Sequence, residues 1–218
     1  MSAADQSAAR ELPRGRHTFT REAVVASQRQ RLRGGIAEAV ATKGYAATTV
    51  ADVVAAAAVS RRTFYEHYGD LESCFLDAYL DGMEWLLSEI RQAVRAHPNA
   101  DWRERSRVSV EAYLRALAAR PTAAWAFSIE AMGGGRAVLE HRSDVLRRWV
   151  RQWSGLQELQ RRELRSKDDV DDDHLLLLVG GIEELVRDCL VRDGAVALPR
   201  LTDRITEIAV STLERPRP

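Results

Sequence analysis

The sequence predicts an all-α protein, with an N-terminal three-helix helix-turn-helix domain, a C-terminal helical domain and about nine helices in all. Three observations favour this fold class. Apolar residues recur at helical spacing in most segments, no segment alternates polar and apolar residues, and capping residues precede several of the predicted helices. A chain of 218 residues is also long enough to bury a sizeable core.

The first predicted helix covers residues 21–43. One face of it carries the apolar residues Val25, Leu32, Ile36 and Val40. Two starts are compatible with the sequence: Thr20 as the N-cap, or a capping box formed by Ser27 and Gln30. Gly44 follows the last periodic residue and predicts the end of the helix.

Two short helices follow in the segment "TTVADVVAAAAVS" and its continuation. Thr49 and Asp52 have the spacing of a capping box, which predicts an alanine-rich helix ending near residue 57. After a tight turn, Ser60 is placed to cap a second short helix over 61–67. Two short helices joined by so few residues predict a helix-turn-helix.

The rest of the chain is predicted to be a series of longer helices, the first of them capped by Asp70. The triplet "GGG" at 133–135 predicts a loop among them. The predicted helices cover about 70–96, 101–119, 121–132, 136–167, 172–192 and 199–213.

Charge and composition exclude several classes of protein. The net charge is zero, although residues 1–68 hold ten Lys and Arg against six Asp and Glu. Cys74 and Cys189 are far apart and form no C-x-x-C pair, so neither a metal site nor a disulfide framework is predicted, and no cofactor motif is present. Without a secretory signal or a membrane-spanning apolar run, the protein is predicted to be cytoplasmic, with no membrane partner.

Residues 1–20 predict a disordered basic arm ahead of the helix-turn-helix domain at 21–69. Arg10, Arg14 and Arg16 in this arm suit contacts with a phosphate backbone, and a solvated tail without a partner is the alternative.

The helix at 61–67 carries the residues that suggest a function. Helical spacing turns Phe64 inward, whereas Arg61, Arg62 and Tyr65 face outward. Guanidinium groups suit guanine edges or phosphate oxygens, and hydroxyl groups are ordinary phosphate donors. With Ser60 at the start of the helix, this pattern is typical of a recognition helix in the DNA major groove.

Residues 44–75, "GYAATTVADVVAAAAVSRRTFYEHYGDLESCF", closely resemble the N-terminal signature of tetracycline-repressor-type (TetR family) transcriptional regulators. The resemblance implies a DNA-binding domain followed, over 70–218, by a ligand-binding and dimerisation domain. It further implies that Thr48, Thr49, Tyr65 and His67 hold phosphates, while Arg61, Arg62 and Thr63 approach the bases. Together with Ser60, these residues form the predicted DNA-binding set.

This sequence departs from the family pattern at two positions. Arg62 stands where members often have glycine, so the helix either inserts less deeply or reads a further base. Leu71 stands where members often have lysine, so one phosphate contact is missing. Glu66 lies four residues after Arg62 and either pairs with it or accepts a hydrogen bond from a cytosine amino group.

The C-terminal helices predict an apolar cavity for a small molecule. All five tryptophans follow the helix-turn-helix segment, and apolar residues with few polar groups are typical of ligand pockets. Plain core packing is the alternative for each of these residues. Polar candidates near them are Glu130 and His141. The predicted pocket residues are Met83, Leu86, Tyr113, Trp125, Ile129, Trp149 and Trp153.

The last two helices predict a homodimer interface. Residues 172–192 are apolar nearly all round in their first half, which indicates burial on more than one side. In the family, the last two helices form a four-helix bundle with their twofold mates. The interface is predicted to contain Leu178, Ile182, Leu185, Ile205, Ile208 and Thr212.

The sequence therefore predicts a DNA-binding transcriptional regulator, a repressor that a small-molecule effector releases from a palindromic operator. The other interpretation is a helical ligand-binding or scaffold dimer without DNA binding. An enzyme is not predicted, because the sequence contains no nucleophile–base constellation, no Glu-x-x-His pair and no phosphate loop.

Overall fold

Every regular element in the described part of the chain is helical. The computed structural model describes residues 20–165 and 170–214, and within these ranges it contains helices and no strand. The predicted all-α fold is thereby confirmed. Among these helices, none combines the length and the apolar composition that a bilayer span requires. The predicted basic arm, with Arg10, Arg14 and Arg16, lies outside the described residues except for Thr20.

The described ranges contain nine α-helices and two 3₁₀ helices. The α-helices are α1 Arg21–Lys43, α2 Val50–Ala57, α3 Arg61–His67, α4 Leu71–Arg95, α5 Trp102–Ala119, α6 Pro121–Ser128, α7 Gly135–Leu164, α8 Asp172–Arg192 and α9 Thr202–Leu213. The 3₁₀ helices are Glu130–Gly133, between α6 and α7, and Ala195–Leu201, between α8 and α9.

Side-chain caps fix the helix starts. The Thr20 hydroxyl oxygen accepts a hydrogen bond from the Ala23 amide at 3.2 Å, so α1 begins after Thr20 and not at Ser27. At α2, the predicted capping box is present, and the Asp52 carboxylate accepts from the Thr49 amide at 2.9 Å. The local sequence therefore determines where these two helices begin.

The segment after α6 differs from the prediction. The α-helix expected over 121–132 ends at Ser128, and a 3₁₀ helix over Glu130–Gly133 replaces its last turn. The loop expected at 133–135 is reduced accordingly, and α7 begins at Gly135, whose φ of 84° suits glycine.

The start of the last helix also differs from the prediction. The helix expected over 199–213 begins as α9 at Thr202, and residues 199–201 belong to the preceding 3₁₀ helix. The Thr202 hydroxyl donates to the Pro199 carbonyl at 2.8 Å, at the junction between this 3₁₀ helix and α9.

Helix α4 connects two clusters of buried side chains. The N-terminal core, formed mainly by α1 to α4 with parts of α6 and α7, includes Leu32, Ile36, Val53, Phe64 and Phe75. The C-terminal core, formed by α4 to α9, includes Leu86, Trp102, Leu114, Leu175 and Ile205. Because α4 contributes to both cores, its orientation couples the helix-turn-helix to the rest of the molecule.

Helices α1 and α2 approach each other most closely at Gly35. A Cβ atom at this position would lie 2.8 Å from the Ala57 nitrogen and 2.8 Å from the Val53 oxygen. Both are backbone atoms, so a side chain cannot be accommodated by a change of rotamer. Glycine is therefore required here for packing.

Replacing Gly35 by alanine is expected to lower the free energy of unfolding by about 1–3 kcal/mol, because the added methyl group overpacks the contact with α2. Gly34 is the matched control, since a Cβ atom there would meet nothing within 4 Å. Alanine at Gly34 should raise the free energy of unfolding by up to about 1 kcal/mol through helix propensity. Urea denaturation compares the two variants, and equal stabilities would contradict the packing of α1 on α2.

Candidate nucleic-acid interface and internal cavities

Helix α3 has one buried and one exposed side. Phe64 is fully buried in the N-terminal core, and its ring centroid lies 5.9 Å from that of Tyr68. On the other side, Arg61, Arg62 and Tyr65 are exposed, Tyr65 with 58% of its surface accessible. The structure thus places these side chains on the faces that the helical spacing predicts.

Arg61 and Tyr65 are available for an external partner. Within the described ranges, neither side chain forms a hydrogen bond or an ion pair, and the Tyr65 ring packs edge-to-face with Phe64 at a centroid distance of 5.3 Å. The Arg62 Nε donates to Glu66 at 3.0 Å, and the Arg62 side chain is 89% exposed. Surface pairs of this kind contribute little stability, so Arg62 can leave Glu66 for another anion at small cost.

The start of α3 is held by two hydroxyl groups. The Ser60 Oγ accepts from the Thr63 amide at 3.0 Å and lies 2.9 Å from the Thr63 Oγ1. Ser60 is exposed and Thr63 is half-buried. Both are therefore positioned beside the outward guanidinium groups, although each hydroxyl already takes part in the helix cap.

The other residues predicted to contact phosphates differ in exposure, and their side chains already have hydrogen-bond partners within the protein. Thr48 is only 7% exposed, and its hydroxyl donates to the Gly44 carbonyl at 2.7 Å, so its hydrogen is not available to a phosphate. Thr49 is exposed, but its hydroxyl donates to Asp52 at 2.7 Å within the capping box. His67 is half-buried, and its Nε2 lies 3.1 Å from the Gln28 side-chain oxygen. We therefore remove Thr48 from the set of candidate contacts.

The position of Leu71 accounts for one departure from the family pattern. Leu71 is half-buried and packs against the N-terminal core. A charged lysine head at this position would gain nothing from that packing. The leucine therefore stabilises the junction of α3 and α4 instead of contacting a phosphate.

Arg31 supports the turn between α2 and α3. Its Nε donates to the Ala57 carbonyl at 2.9 Å, and its Nη2 donates to the Ala58 carbonyl. Ala58 has a φ of 50°, which is unusual for a residue other than glycine. The contact joins residues more than two dozen positions apart, so the sequence pattern gave no signal for it.

Asp77 on α4 joins the end of α3 to α1. Its carboxylate accepts hydrogen bonds from Arg29 at 2.8 Å, from Arg33 at 2.6 Å and from the Tyr68 hydroxyl at 2.6 Å. Arg33 also pairs with the exposed Asp81 at 2.6 Å. Burial alone would raise the pKa of Asp77, but the three hydrogen bonds outweigh burial and hold this pKa well below its ordinary range.

Two small cavities lie inside the C-terminal domain. The first, about 40 Å³, is lined by residues of α4, α5, α7 and α8, among them Ile90, Val110, Tyr113, Trp153, Leu156 and Val179. The second, about 30 Å³, is lined by Tyr79, Met83, Leu86, Leu117, Phe127 and Val186, together with charged residues. Each cavity has room for only one or two water molecules, so a larger ligand requires side chains to move.

Most of the predicted pocket residues line these cavities. Tyr113 and Trp149 line both, Trp153 lines the first, and Met83 and Leu86 line the second. Burial, and secondly the charge of a nearby glutamate, raise the pKa of Tyr113, so its hydroxyl stays protonated and can donate. Trp125 and Ile129 line neither cavity and pack against the C-terminal core instead. For these two positions, the alternative of core packing therefore describes the structure.

The charged residues of the cavities were not identified from the sequence. Glu183 lines both cavities, and Arg142 and Arg187 line the second. Glu183 accepts hydrogen bonds from Arg142 and, at 3.1 Å, from Arg187. Arg142 and Glu183 come from different helices, so only their packing reveals the cluster.

The predicted polar pocket residues Glu130 and His141 have other partners. Glu130 accepts a hydrogen bond from the Tyr45 amide at 3.1 Å, which ties the 3₁₀ helix after α6 to the loop between α1 and α2. The His141 Nδ1 lies 2.8 Å from the Ala137 carbonyl, within α7. Glu130 therefore connects the C-terminal domain to the helix-turn-helix.

Helices α8 and α9 form a surface groove with exposed apolar side chains. Its walls include Leu177, which is 75% exposed, and Ile208, which is 42% exposed, together with Leu185 and Thr212. Three of the predicted interface residues are buried in the protomer itself and form the floor of the groove: Leu178, Ile182 and Ile205. These three side chains pack beneath the groove, and little of their surface is accessible to a partner.

Residues 35–78 match the family model described as bacterial regulatory proteins of the tetR family. This segment therefore resembles the DNA-binding domain of tetR-family regulators. The match starts within α1 and ends within the first half of α4, so it contains α2, the turn and the whole of α3. A comparison with curated protein sequences gave no match.

Solved structures share the fold of this chain over most of its length. The fatty acid degradation regulator FadR from Bacillus halodurans is 17% identical, with a TM-score of 0.74 over 86% of this chain and 99% of that one. FadR from Bacillus subtilis, solved with stearoyl-CoA, is 16% identical, with a TM-score of 0.74 over 84% and 98%. A tetR-family regulatory protein from Rhodococcus is 22% identical, with a TM-score of 0.67 over 85% and 96%. At these identities the likeness establishes the fold alone.

The match over residues 35–78 bears on the broad function. The family match covers the helix-turn-helix, and the protein is accordingly a sequence-specific DNA-binding transcriptional regulator. On the exposed side of α3, the Arg61 guanidinium and the Tyr65 phenol have no partner among the described residues.

Proposed function

We propose that the protein is a homodimeric repressor that binds a palindromic operator and leaves it when a small-molecule effector enters the C-terminal domain. The observation that carries this proposal is the exposed side of α3, where Arg61 and Tyr65 have no partner within the described ranges. A cytoplasmic location follows from the proposal, because the operator lies there.

We assign two kinds of DNA contact to the helix-turn-helix. Arg61 and Arg62 reach base edges in the major groove, where a guanidinium donates two hydrogen bonds to guanine. Thr63 approaches the bases beside them, while Tyr65 and Ser60 contact phosphates on either side and fix the register of the helix. Thr49 and His67 are weaker candidates for phosphate contacts, because their side chains already have partners in the protein.

A symmetric operator is proposed because a twofold dimer presents two copies of α3. Such dimers contact half-sites whose centres are about 34–36 Å apart along the DNA, or one helical turn. Exposed apolar residues on α8 and α9 support dimerisation through the groove that these two helices form.

Release by an effector is supported by the connections of α4. Only three residues separate α3 from α4, and Asp77 on α4 holds α1 and Tyr68 through hydrogen bonds. A ligand that opens the internal cavities changes the tilt of α4 and thereby the distance between the two recognition helices. A coupling of about 1–3 kcal/mol would lower operator affinity about 5- to 150-fold. The likeness to a FadR structure that holds stearoyl-CoA supports a small-molecule effector for this fold.

Replacing Arg61 by alanine is expected to weaken operator binding by about 1–3 kcal/mol, roughly 5- to 150-fold, and to relax the preference for one base pair. Arg115→Ala is the matched control: it removes the same charge from an exposed position on α5. Gel shifts with footprinted DNA from upstream of the protein's own gene measure both variants. Unchanged affinity for Arg61→Ala and for Tyr65→Ala would reject the assignment of α3 as the recognition helix.

A further inference from the structure

The two internal cavities share a wall of three side chains. Tyr113, Trp149 and Glu183 line both of them. Movement of these side chains would join the two cavities into one larger space. Because each cavity is too small for an organic ligand, such a movement is required for any effector that binds here.

Glu183 in this wall is bound by two guanidinium groups. It pairs with Arg142 and, at 3.1 Å, with Arg187, and all three side chains are only about one-fifth exposed. Arg187 also pairs with Glu184, but that side chain is 70% exposed and its charge is screened by solvent. Around the cavities, two cations therefore face one carboxylate.

Charges at such a site are costly for the fold. Removing ions from water is unfavourable, and well-packed apolar side chains often stabilise a protein as well as a buried ion pair does. The surroundings of this cluster are apolar and aromatic, including Tyr79, Trp149 and Val186. Stability alone gives no reason for a carboxylate between two arginines at this position.

Resting on the function proposed above, we infer that Glu183 takes the place of an effector head group in the ligand-free protein. The effector is then an apolar molecule with a carboxylate or a similar anion. Its head group replaces Glu183 between Arg142 and Arg187, and its apolar body occupies the space beside Trp153 that the movement of Glu183 opens.

The chemistry of the site favours an anion over a cation. A cation would meet two guanidinium groups at close range, whereas a carboxylate accepts paired hydrogen bonds from their planar forks. The Tyr113 hydroxyl, which forms no hydrogen bond with another described residue, adds a further donor beside Glu183. The apolar lining of the first cavity suits an aliphatic or aromatic body.

Two hydrogen bonds connect the proposed head-group position to the DNA-binding domain through α6 and the 3₁₀ helix that follows it. The Arg187 Nε donates to the carbonyl of Ser128, the last residue of α6, at 3.1 Å. Two residues later, Glu130 binds the Tyr45 amide of the helix-turn-helix. A head group that shifts Arg187 therefore displaces α6 and the loop that precedes α2.

The first test uses matched ligands and the full-length protein without DNA. The probes are octanoate, dodecanoate and 3-phenylpropanoate, each with its alcohol and its primary ammonium counterpart. At least one carboxylate is expected to raise the melting temperature and to change tryptophan fluorescence, since Trp149 and Trp153 line the cavity. Its alcohol and ammonium counterparts should bind at least about tenfold more weakly. The inference is overturned if no carboxylate binds, or if the ammonium compounds bind best.

The second test uses two substitutions with opposite expected signs. Glu183→Gln removes the internal competitor and should tighten carboxylate binding about tenfold, whereas Arg142→Met should weaken it about tenfold. Glu184→Gln, at an exposed position, is the control and should change little. If the cluster only stabilises the fold, Glu183→Gln and Arg142→Met should both weaken carboxylate binding. If Arg142→Met does not fold, Glu183→Gln decides alone, and unchanged or weaker binding overturns the inference.

Gel shifts separate this inference from the proposed function. A carboxylate that binds with the expected variant pattern, yet leaves the upstream DNA complex intact, supports the ligand assignment and contradicts release by this effector. Loss of DNA binding in Arg61→Ala with unchanged carboxylate binding would support both assignments independently.

Discussion

Replacing Leu177 by aspartate is expected to leave the protein monomeric and to lower its operator affinity at least about 100-fold. Leu177 is the most exposed leucine of the described chain, with 75% of its surface accessible, and it lies on the groove between α8 and α9. In the proposed dimer this side chain is buried against the partner. A carboxylate there would have to lose its hydration without gaining a counterion, which is strongly unfavourable.

The expected loss of operator affinity follows from the twofold symmetry of the proposed dimer. A monomer carries one recognition helix, so it loses the contribution of the second half-site and binds DNA with little more than electrostatic affinity. Sedimentation velocity measures the oligomeric state, and gel shifts with the upstream DNA measure the affinity of the same sample.

Val196→Asp provides the control for this experiment. Val196 is 84% exposed in the 3₁₀ helix before α9 and does not line the groove, so aspartate there should leave the dimer intact. A Leu177→Asp protein that remains dimeric and binds DNA normally would place the interface elsewhere.

Replacing Asp77 by asparagine is expected to lower the free energy of unfolding by about 2–4 kcal/mol. The Asp77 side chain is 19% exposed, and Arg29, Arg33 and Tyr68 all donate to it. Asparagine keeps the size of the side chain but removes the negative charge, and the two guanidinium groups lose their shared counterion. Urea denaturation at neutral pH measures the loss.

The stability difference between wild type and Asp77→Asn should depend on pH. In the folded protein the pKa of Asp77 lies below its value in the unfolded chain, which is about 3.9. The stabilisation by the carboxylate is therefore fully present above that value. It decreases as the pH falls below about 4 toward the folded pKa, because the unfolded state then binds the proton more readily.

Asp81→Asn is the matched control for Asp77→Asn. Asp81 pairs with Arg33 alone and its side chain is 54% exposed, so its loss should cost less than about 1 kcal/mol. A stability difference that stays constant between pH 7 and pH 3, or equal effects of the two substitutions, would contradict the role given to Asp77.

Some features of this protein could be predicted because they depend on neighbours in sequence. The starts of α2 and α3 follow from Thr49 and Ser60, whose side chains cap amides three residues away. The outward direction of Arg61 and Tyr65 follows from the helical repeat and from Phe64, which the N-terminal core buries. These preferences are local and are encoded within about one helical turn.

Other features could not be predicted, because apolar spacing does not distinguish a cavity wall from a core. Trp125 and Ile129 have the same helical spacing as residues that line a cavity, yet they pack into the C-terminal core. Ile205 belongs to the predicted interface pattern, yet it is fully buried in its own protomer. Which side of an apolar helix meets solvent, a ligand or a partner depends on the elements packed around it.

The sequence by itself determined the helical architecture, the positions of the caps and the side chains that α3 exposes, because short-range hydrogen bonds and side-chain periodicity control them. The tertiary structure alone decided that Glu183 meets Arg142, that Asp77 holds Arg29, and that Glu130 reaches the Tyr45 amide. Each of these contacts joins residues at least 41 positions apart. Such pairs form only when the packing of whole helices brings them together, and no local pattern in the chain encodes them.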